Sequence, residues 1–144
     1  MGLINKELVH VNATAVTWEE AIQLGGNLLM QNGYINASYI DAMINNMLEN
    51  GAYFVLAPGV AMPHARSEAG AIKTGISIVT LREPVKFLDT PNNPVKLVIC
   101  LSAADSESHL DLLTKVSELL SDSTSVAAVM KAKTADEVLA QFHP

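Results

Sequence analysis

The run "VKLVICL" at residues 95–101 restricts the fold more than any other feature, because its apolar residues are almost continuous. A strand with one exposed face alternates apolar and polar residues, whereas a run of this character is typical of a strand covered on both faces. Helices must therefore lie on both sides of its sheet. Three other short runs, rich in β-branched or aromatic residues, predict further strands: "ELVHV" (7–11), "YFVLA" (53–57) and "GISIVTL" (75–81).

Helical patterns separate and follow these strands. Thr17 and Glu20 form a capping box before an apolar stripe that ends near Gly33, despite Gly25 and Gly26. A second helix begins near residue 36 and stops before residue 51, with an apolar face of Ile40, Met43, Ile44, Met47 and Leu48. Three more helices are predicted in "DSESHLDLLTKVSELL" (105–120), "STSVAAVMKA" (123–132) and "TADEVLAQF" (134–142), each opening on a capping residue.

This alternation predicts an α/β fold, a three-layer sandwich in which a mixed β-sheet has helices on both faces. No repeat or linker divides the chain, so residues 1–144 should form a single domain. The apolar runs are too short to cross a bilayer and the N-terminus lacks a secretory pattern, which favours a cytoplasmic protein without direct membrane insertion. The one cysteine, Cys100, lies in the buried run and is expected to be a core thiol.

The charge balance restricts the partners. Fifteen acidic and nine basic residues give a net charge of -6, and the basic residues form no cluster. That balance argues against nucleic acid and anionic membranes and leaves proteins or small molecules as partners.

The segment "APGVAMPHARSEAG" (57–70) places His64 directly after Pro63. Proline fixes its own φ and biases the preceding residue towards extended geometry, so this segment should follow a defined path out of the sheet. The small neighbours Gly59 and Ala65 leave room for another molecule to approach the ring. This favours a presented imidazole, although the spacing also fits a loop histidine whose nitrogens bond to backbone groups.

A second histidine, His109, falls in the first turn of the helix predicted after Asp105 or Ser106. The helix dipole there favours the neutral imidazole, which can donate from one nitrogen and accept at the other. His109 could thus orient another imidazole or hydrogen-bond a phosphoryl oxygen; the alternative is an ordinary polar residue of a first turn. His10 and His143 are expected to face solvent.

Together, "PGVAMPHAR" and "DSESHLDLL" resemble the enzyme IIA component of the phosphoenolpyruvate-dependent sugar phosphotransferase system, in its mannitol and fructose class. The longer runs "KTGISIVTL", "PVKF" and "NNPVKLVICLSAADSESHLDLL" look most like the ascorbate-specific branch. The resemblance extends from about Trp18 to Leu120, and two separated histidine motifs in order are more specific than either alone.

This resemblance implies a phosphotransferase that acts as a phosphocarrier. His64 would take a phosphoryl group from phosphorylated HPr and pass it to a cysteine of enzyme IIB, which serves the membrane component IIC, for a sugar of the ascorbate type. His109 would be the supporting histidine, and no metal or cofactor would be needed. Arg66 would contact the phosphoryl group or a partner, unless it is simply solvated. A neutral imidazole is nucleophilic at neutral pH, which suits this role.

The sequence departs from the mannitol type at two places. Mannitol-type relatives often carry an arginine in the helix before the active segment, where this chain has "MINNMLE" and Asn46 is its counterpart. An acidic residue before the histidine motif is also missing, with Ala57 and Pro58 there instead. Either Arg66, or backbone N–H groups near Gly59 or at a helix N-terminus, must then compensate.

Two other functions fit parts of the pattern. A regulatory module of the nitrogen-related branch would share the fold and sense the phosphorylation state instead of feeding a transporter. A metal hydrolase using His64 and His109 is the weaker alternative, because no motif supplies further ligands.

Overall fold

The buried run at residues 95–101 lies in the middle of a four-stranded mixed sheet in the computed structural model, which describes residues 4–51 and 54–142. The strands of this part of the chain are β1 (Val9–Ala13), β2 (Val60–Ala61), β3 (Gly75–Val85) and β4 (Val95–Ser102). Their order in the sheet is β1, β3, β4, β2. The central strands β3 and β4 are antiparallel, and each edge strand runs parallel to its neighbour.

Helices cover both faces of this sheet. They are α1 (Trp18–Gln31), α2 (Ala37–Asn50), α3 (Ser106–Leu120), α4 (Ser123–Lys131) and α5 (Ala135–Leu139). Val79 and Val98 pack in one core with α1 and α2, whereas Ile78 and Ile99 pack in a second core with α3, α4 and α5. The predicted three-layer α/β sandwich is therefore confirmed. Within the described ranges, no helix combines the length and apolar character that crossing a bilayer requires.

The capping box predicted at the start of α1 is present in a slightly different form. The Thr17 hydroxyl accepts a hydrogen bond from the Glu20 N–H at 3.2 Å, and the Glu20 carboxylate accepts one from the N–H of Val16, one residue before the cap, at 2.7 Å. Each bond satisfies a backbone donor that the helix itself leaves unpaired.

The glycine pair inside α1 is explained by close packing. A Cβ on Gly25 would lie 2.6 Å from the sulfur of Cys100 on β4, and a Cβ on Gly26 would lie 2.6 Å from Ile40 on α2. These glycines let α1 approach the sheet and the neighbouring helix more closely than any other residue would allow.

The strand predicted at "YFVLA" is wrong. Tyr53 lies outside the described residues; Phe54 lies in a turn, the next two residues form no regular structure, and Ala57 makes only an isolated bridge with Val60. The reason is the turn at Pro58 and Gly59, where Gly59 has a φ of 77° and the Val60 N–H donates to the Ala57 carbonyl at 3.0 Å. The pairing with β4 is instead made by the two residues of β2.

Other boundaries and faces differ by smaller amounts. The first strand begins at Val9, after a 3₁₀ turn over Lys6–Leu8. Leu48, predicted on the apolar face of α2, is 63% exposed, because it lies about 100° further round the helix than Met47. The cap of α4 is Asp122 instead of the first serine of the predicted run, and α5 ends at Leu139 instead of continuing to residue 142.

The packing of α1 on β4 gives a stability prediction. We expect Gly25→Ala to lower the free energy of unfolding by about 1 kcal/mol, because an overpacking cost of about 1–3 kcal/mol exceeds the gain of about 1 kcal/mol in helix propensity. Urea denaturation of the variant and of the Gly25→Ala, Cys100→Ala double variant measures this. The added methyl should cost less once the sulfur is removed; a variant more stable than the wild type would contradict the prediction.

Candidate functional site

His64 lies just beyond the end of β2, in a segment that backbone hydrogen bonds hold against its neighbours. The Met62 N–H donates to the Phe54 carbonyl at 2.8 Å, and the Leu101 N–H on β4 donates to the Pro63 carbonyl at 3.0 Å. Proline supplies no N–H of its own, so its carbonyl provides this bond. The segment thus follows a defined path, as its proline predicts.

A hydrogen bond to the backbone fixes the tautomer of the His64 ring. Its Nδ1 lies 2.8 Å from the Met62 carbonyl oxygen. A carbonyl oxygen can only accept, so Nδ1 carries the proton, and the neutral ring keeps its lone pair on Nε2. In this tautomer Nε2 is the ring nitrogen with a free lone pair that could act as a nucleophile or base.

The surroundings of His64 favour this neutral form. Burial lowers the pKa of the half-buried ring below 6.5; the hydrogen bond to Met62 opposes that shift, and the positive charge that His109 can carry adds to it. A larger share of the rings is therefore nucleophilic near neutral pH than for an imidazole in water.

Two side chains of α2 hold the backbone on either side of the ring. The Asn46 side-chain amide donates to the His64 carbonyl at 3.1 Å. The hydroxyl of Tyr39 accepts a hydrogen bond from the Ala65 N–H at 3.0 Å and lies 2.7 Å from the Leu101 carbonyl oxygen. The sequence analysis did not identify Tyr39. The one indication was its polar hydroxyl group next to Ile40, on the apolar face of a predicted helix.

β4 leads directly to the second histidine. Asp105 caps α3 by accepting from the Ser108 N–H at 2.8 Å, and His109 follows as the fourth residue of the helix. The ring centroids of His64 and His109 are 5.6 Å apart, with their planes inclined by 54°. Two residues separated by 45 positions in the sequence are thereby brought together.

Both rings line an open cleft of about 1060 Å³ between α2, the His64 segment and the start of α3. Its described lining contains three carboxylates, Glu49, Glu68 and Asp105, and one guanidinium, Arg66. The Arg66 side chain is 88% exposed, and its nearest carboxylate oxygen, on Glu68, is 4.0 Å away. An exposed pair at this distance is weak, so Arg66 can change partners.

Other groups that the sequence suggested are engaged elsewhere or lie away from the cleft. The Gly59 N–H donates to the Asn92 carbonyl at 2.9 Å, so this amide is already engaged and does not face the cleft as a donor for a phosphoryl group. The N-terminus of α3 has its Ser108 N–H engaged by Asp105. His10 is exposed on β1, at the edge of the sheet opposite β2, and His143 lies outside the described residues.

Histidine is the commonest metal ligand, so the grouping of other possible ligands around these two rings bears on the function. In the ranges 4–51 and 54–142, no three His, Cys, Asp or Glu side chains are grouped as metal ligands would be. Among the residues that the structure describes, no third side chain of these types is therefore placed to share a metal ion with the two histidines of the cleft.

Comparison with known proteins agrees with this geometry. The family model for the phosphoenolpyruvate-dependent sugar phosphotransferase system, EIIA 2, matches residues 2–143. The chain is 36% identical over 139 residues to the ascorbate-specific PTS system EIIA component of Salmonella typhimurium, covering 96% of this chain and 90% of the relative. It is 42% identical over 128 residues to the mannitol-specific cryptic phosphotransferase enzyme IIA component of Escherichia coli, and this match covers 88% of this chain and 85% of the relative.

A solved structure extends the comparison to a complex. The complex of enzyme IIAMTL and phosphorylated enzyme IIBMTL from Escherichia coli contains a chain that is 28% identical, with a TM-score of 0.84 and 96% of both chains covered. The fold, the residues of the cleft and these matches agree: the chain belongs to the EIIA type 2 family of the phosphoenolpyruvate-dependent sugar phosphotransferase system, whose members are phosphotransferases that pass on phosphoryl groups.

Proposed function

We propose that His64 is the phosphorylated residue of this chain and that Nε2 is the atom that carries the phosphoryl group. The observation that supports this most directly is the Nδ1 hydrogen bond to the Met62 carbonyl, which leaves the Nε2 lone pair as the nucleophile. In the first transfer a bond forms between Nε2 and phosphorus as the bond from phosphorus to the donor breaks. In the second, a thiolate attacks phosphorus and the bond to Nε2 breaks. Nδ1 keeps its proton throughout.

We propose His109 and Arg66 as the groups that stabilise the transferring phosphoryl oxygens. Phosphoryl transfer depends on positioning and on donors that face the equatorial oxygens. The Gly59 and Ser108 amides already donate elsewhere, which favours side chains as the source of this stabilisation. The His109 ring lies beside His64, and the exposed, weakly paired Arg66 lines the same cleft.

We propose phosphorylated HPr as donor and a cysteine of enzyme IIB as acceptor, with IIB serving the membrane component IIC. The IIA–IIB complex among the solved structures supports the second partner. The three carboxylates around the cleft favour basic docking faces on both partners. With these partners the chain would act in the cytoplasm, as one domain, on a sugar of the ascorbate type, which relatives named ascorbate-specific support.

Stepwise reconstitution tests this function. Incubation with phosphoenolpyruvate, enzyme I and HPr should place one acid-labile phosphate on the wild-type chain, and addition of a IIB protein should move it to cysteine. His64→Ala should abolish acceptance while unfolding remains cooperative, because the residue lies outside both cores; His10→Ala is the control and should accept normally. Phosphorylation of His64→Ala would contradict the assignment, and a wild-type chain that accepts but never transfers would favour the regulatory role.

His109 gives a graded prediction. His109→Ala should slow transfer by about 100-fold in both directions without abolishing it, because one donor to the phosphoryl oxygens is lost. His109→Gln keeps an N–H donor, so its transfer rates should lie between those of the wild type and those of His109→Ala. Rapid-quench measurement of the phosphorylated chain gives these rates, and rates equal to wild type for His109→Ala would remove the supporting role.

The pH dependence follows from the lowered pKa of His64. Acceptance needs the neutral ring, so at pH 6.5, where half of ordinary imidazoles are protonated, its rate should be more than half of its plateau, and it should fall further as pH drops through the lower folded pKa. The same shift means that the His64 ring binds its proton more tightly in the unfolded chain than in the folded one. Its effect on the free energy of unfolding should therefore be absent well above pH 6.5, and it should lower that free energy as pH falls from there to the lower folded pKa.

Two measurements check this dependence: the His64 ring titration by NMR and the acceptance rate as a function of pH. A peptide spanning residues 60–68 provides the reference for an unburied imidazole. A folded-state pKa at or above that of the peptide would contradict the prediction.

A further inference from the structure

Tyr39 is a buried tyrosine whose hydroxyl group contacts the segment carrying His64. The residue lies in the first turn of α2 and is 1% exposed. A buried hydroxyl is unfavourable unless it is hydrogen-bonded, whereas phenylalanine fills nearly the same volume without that cost. The partners of the hydroxyl therefore show what the oxygen contributes.

These partners lie on two different segments. The Tyr39 oxygen accepts from the Ala65 N–H at 3.0 Å and lies 2.7 Å from the Leu101 carbonyl oxygen and 3.1 Å from that of Ala65. A phenol has one proton to donate, and the Leu101 carbonyl oxygen is the closer of the two acceptors. The hydroxyl therefore donates to Leu101. The hydroxyl thus connects the residue after His64 to β4.

The same residue of β4 also holds the residue before His64, because the Leu101 N–H donates to the Pro63 carbonyl at 3.0 Å. Both sides of His64 are therefore attached to Leu101, one directly and the other through the phenol. We propose that Tyr39 is a positioning residue for phosphoryl transfer, whose buried hydroxyl fixes the backbone after His64 and with it the direction of Nε2. The inference rests on the proposed role of His64.

The variant that removes only the oxygen is Tyr39→Phe. Both transfer rates should fall by about tenfold, because a small misplacement of a nucleophile lowers the rate steeply. In ¹⁵N NMR spectra of the unphosphorylated protein the His64 ring should lose its uniform Nδ1–H tautomer, and the Ala65 amide should exchange with solvent faster.

Two control variants separate positioning from general loss of stability. Ser38→Ala removes another hydroxyl of α2, which donates to the Ala69 carbonyl at 2.8 Å, further along the same segment. Ile22→Val loosens the same core from α1. Both should transfer at the wild-type rate, and an equal loss of rate in either one would overturn the inference.

The outcomes also distinguish this inference from the proposed function. A wild-type chain that takes no phosphate on His64 refutes the function; a wild-type chain that does, together with an equally fast Tyr39→Phe, refutes the positioning role alone. The NMR measurements test the inference without any transfer assay. If the His64 tautomer and the exchange rate of the Ala65 amide are both unchanged in Tyr39→Phe, the positioning role is refuted. If that variant does not fold, slow exchange of the Ala65 amide in the wild type supports the inference and unprotected exchange overturns it.

Discussion

The buried central strand β4 is the constraint on which both the fold and the site depend. Its side chains alternate between two cores, so helices must cover both faces of the sheet. Near its end, Leu101 binds the backbone before His64, and four residues later Asp105 starts the helix that carries His109. A single strand therefore sets the position of both histidines.

Neutral hydrogen bonds hold the His64 segment in this site. Asn46 donates to the backbone carbonyl of His64, and its short side chain brings no fixed charge. Among the described lining residues the one guanidinium is that of Arg66, which lies 4.0 Å from a Glu68 carboxylate oxygen. The His64 segment is thus held by uncharged groups, and in the proposed function orientation and charge stabilisation fall to different residues.

Much of the fold follows from the sequence because its patterns are local. Thr17 with Glu20, the apolar stripe of α2 and the continuous run of β4 each depend on residues close in the chain, and apart from Leu48 at the edge of the stripe each prediction is correct. The strand expected at 53–57 failed because Pro58 and Gly59 impose a turn, and the pairing with β4 depends on residues far away in sequence.

The site was only partly predictable for the same reason. His64 and His109 stand out through their motifs, but the hydroxyl of Tyr39 meets its partners 26 and 62 residues away. Likewise, the Gly59 amide looked available until the fold brought the Asn92 carbonyl to it. Which polar groups remain to serve a ligand is decided by tertiary contacts, and no window of sequence contains them.

The packing of Gly25 over Cys100 has a chemical consequence. The thiol is completely buried, and burial raises its pKa to about 12, against the smaller opposing effect of the Ser77 hydroxyl. At neutral pH this thiol is therefore protonated, whereas the thiolate is the reactive form. Cys100 is the chain's one cysteine. Cys100 is therefore not placed to exchange disulfides or to accept a phosphoryl group. In a mixture with other carriers, phosphate bound to a cysteine is accordingly expected on those carriers and not on this chain.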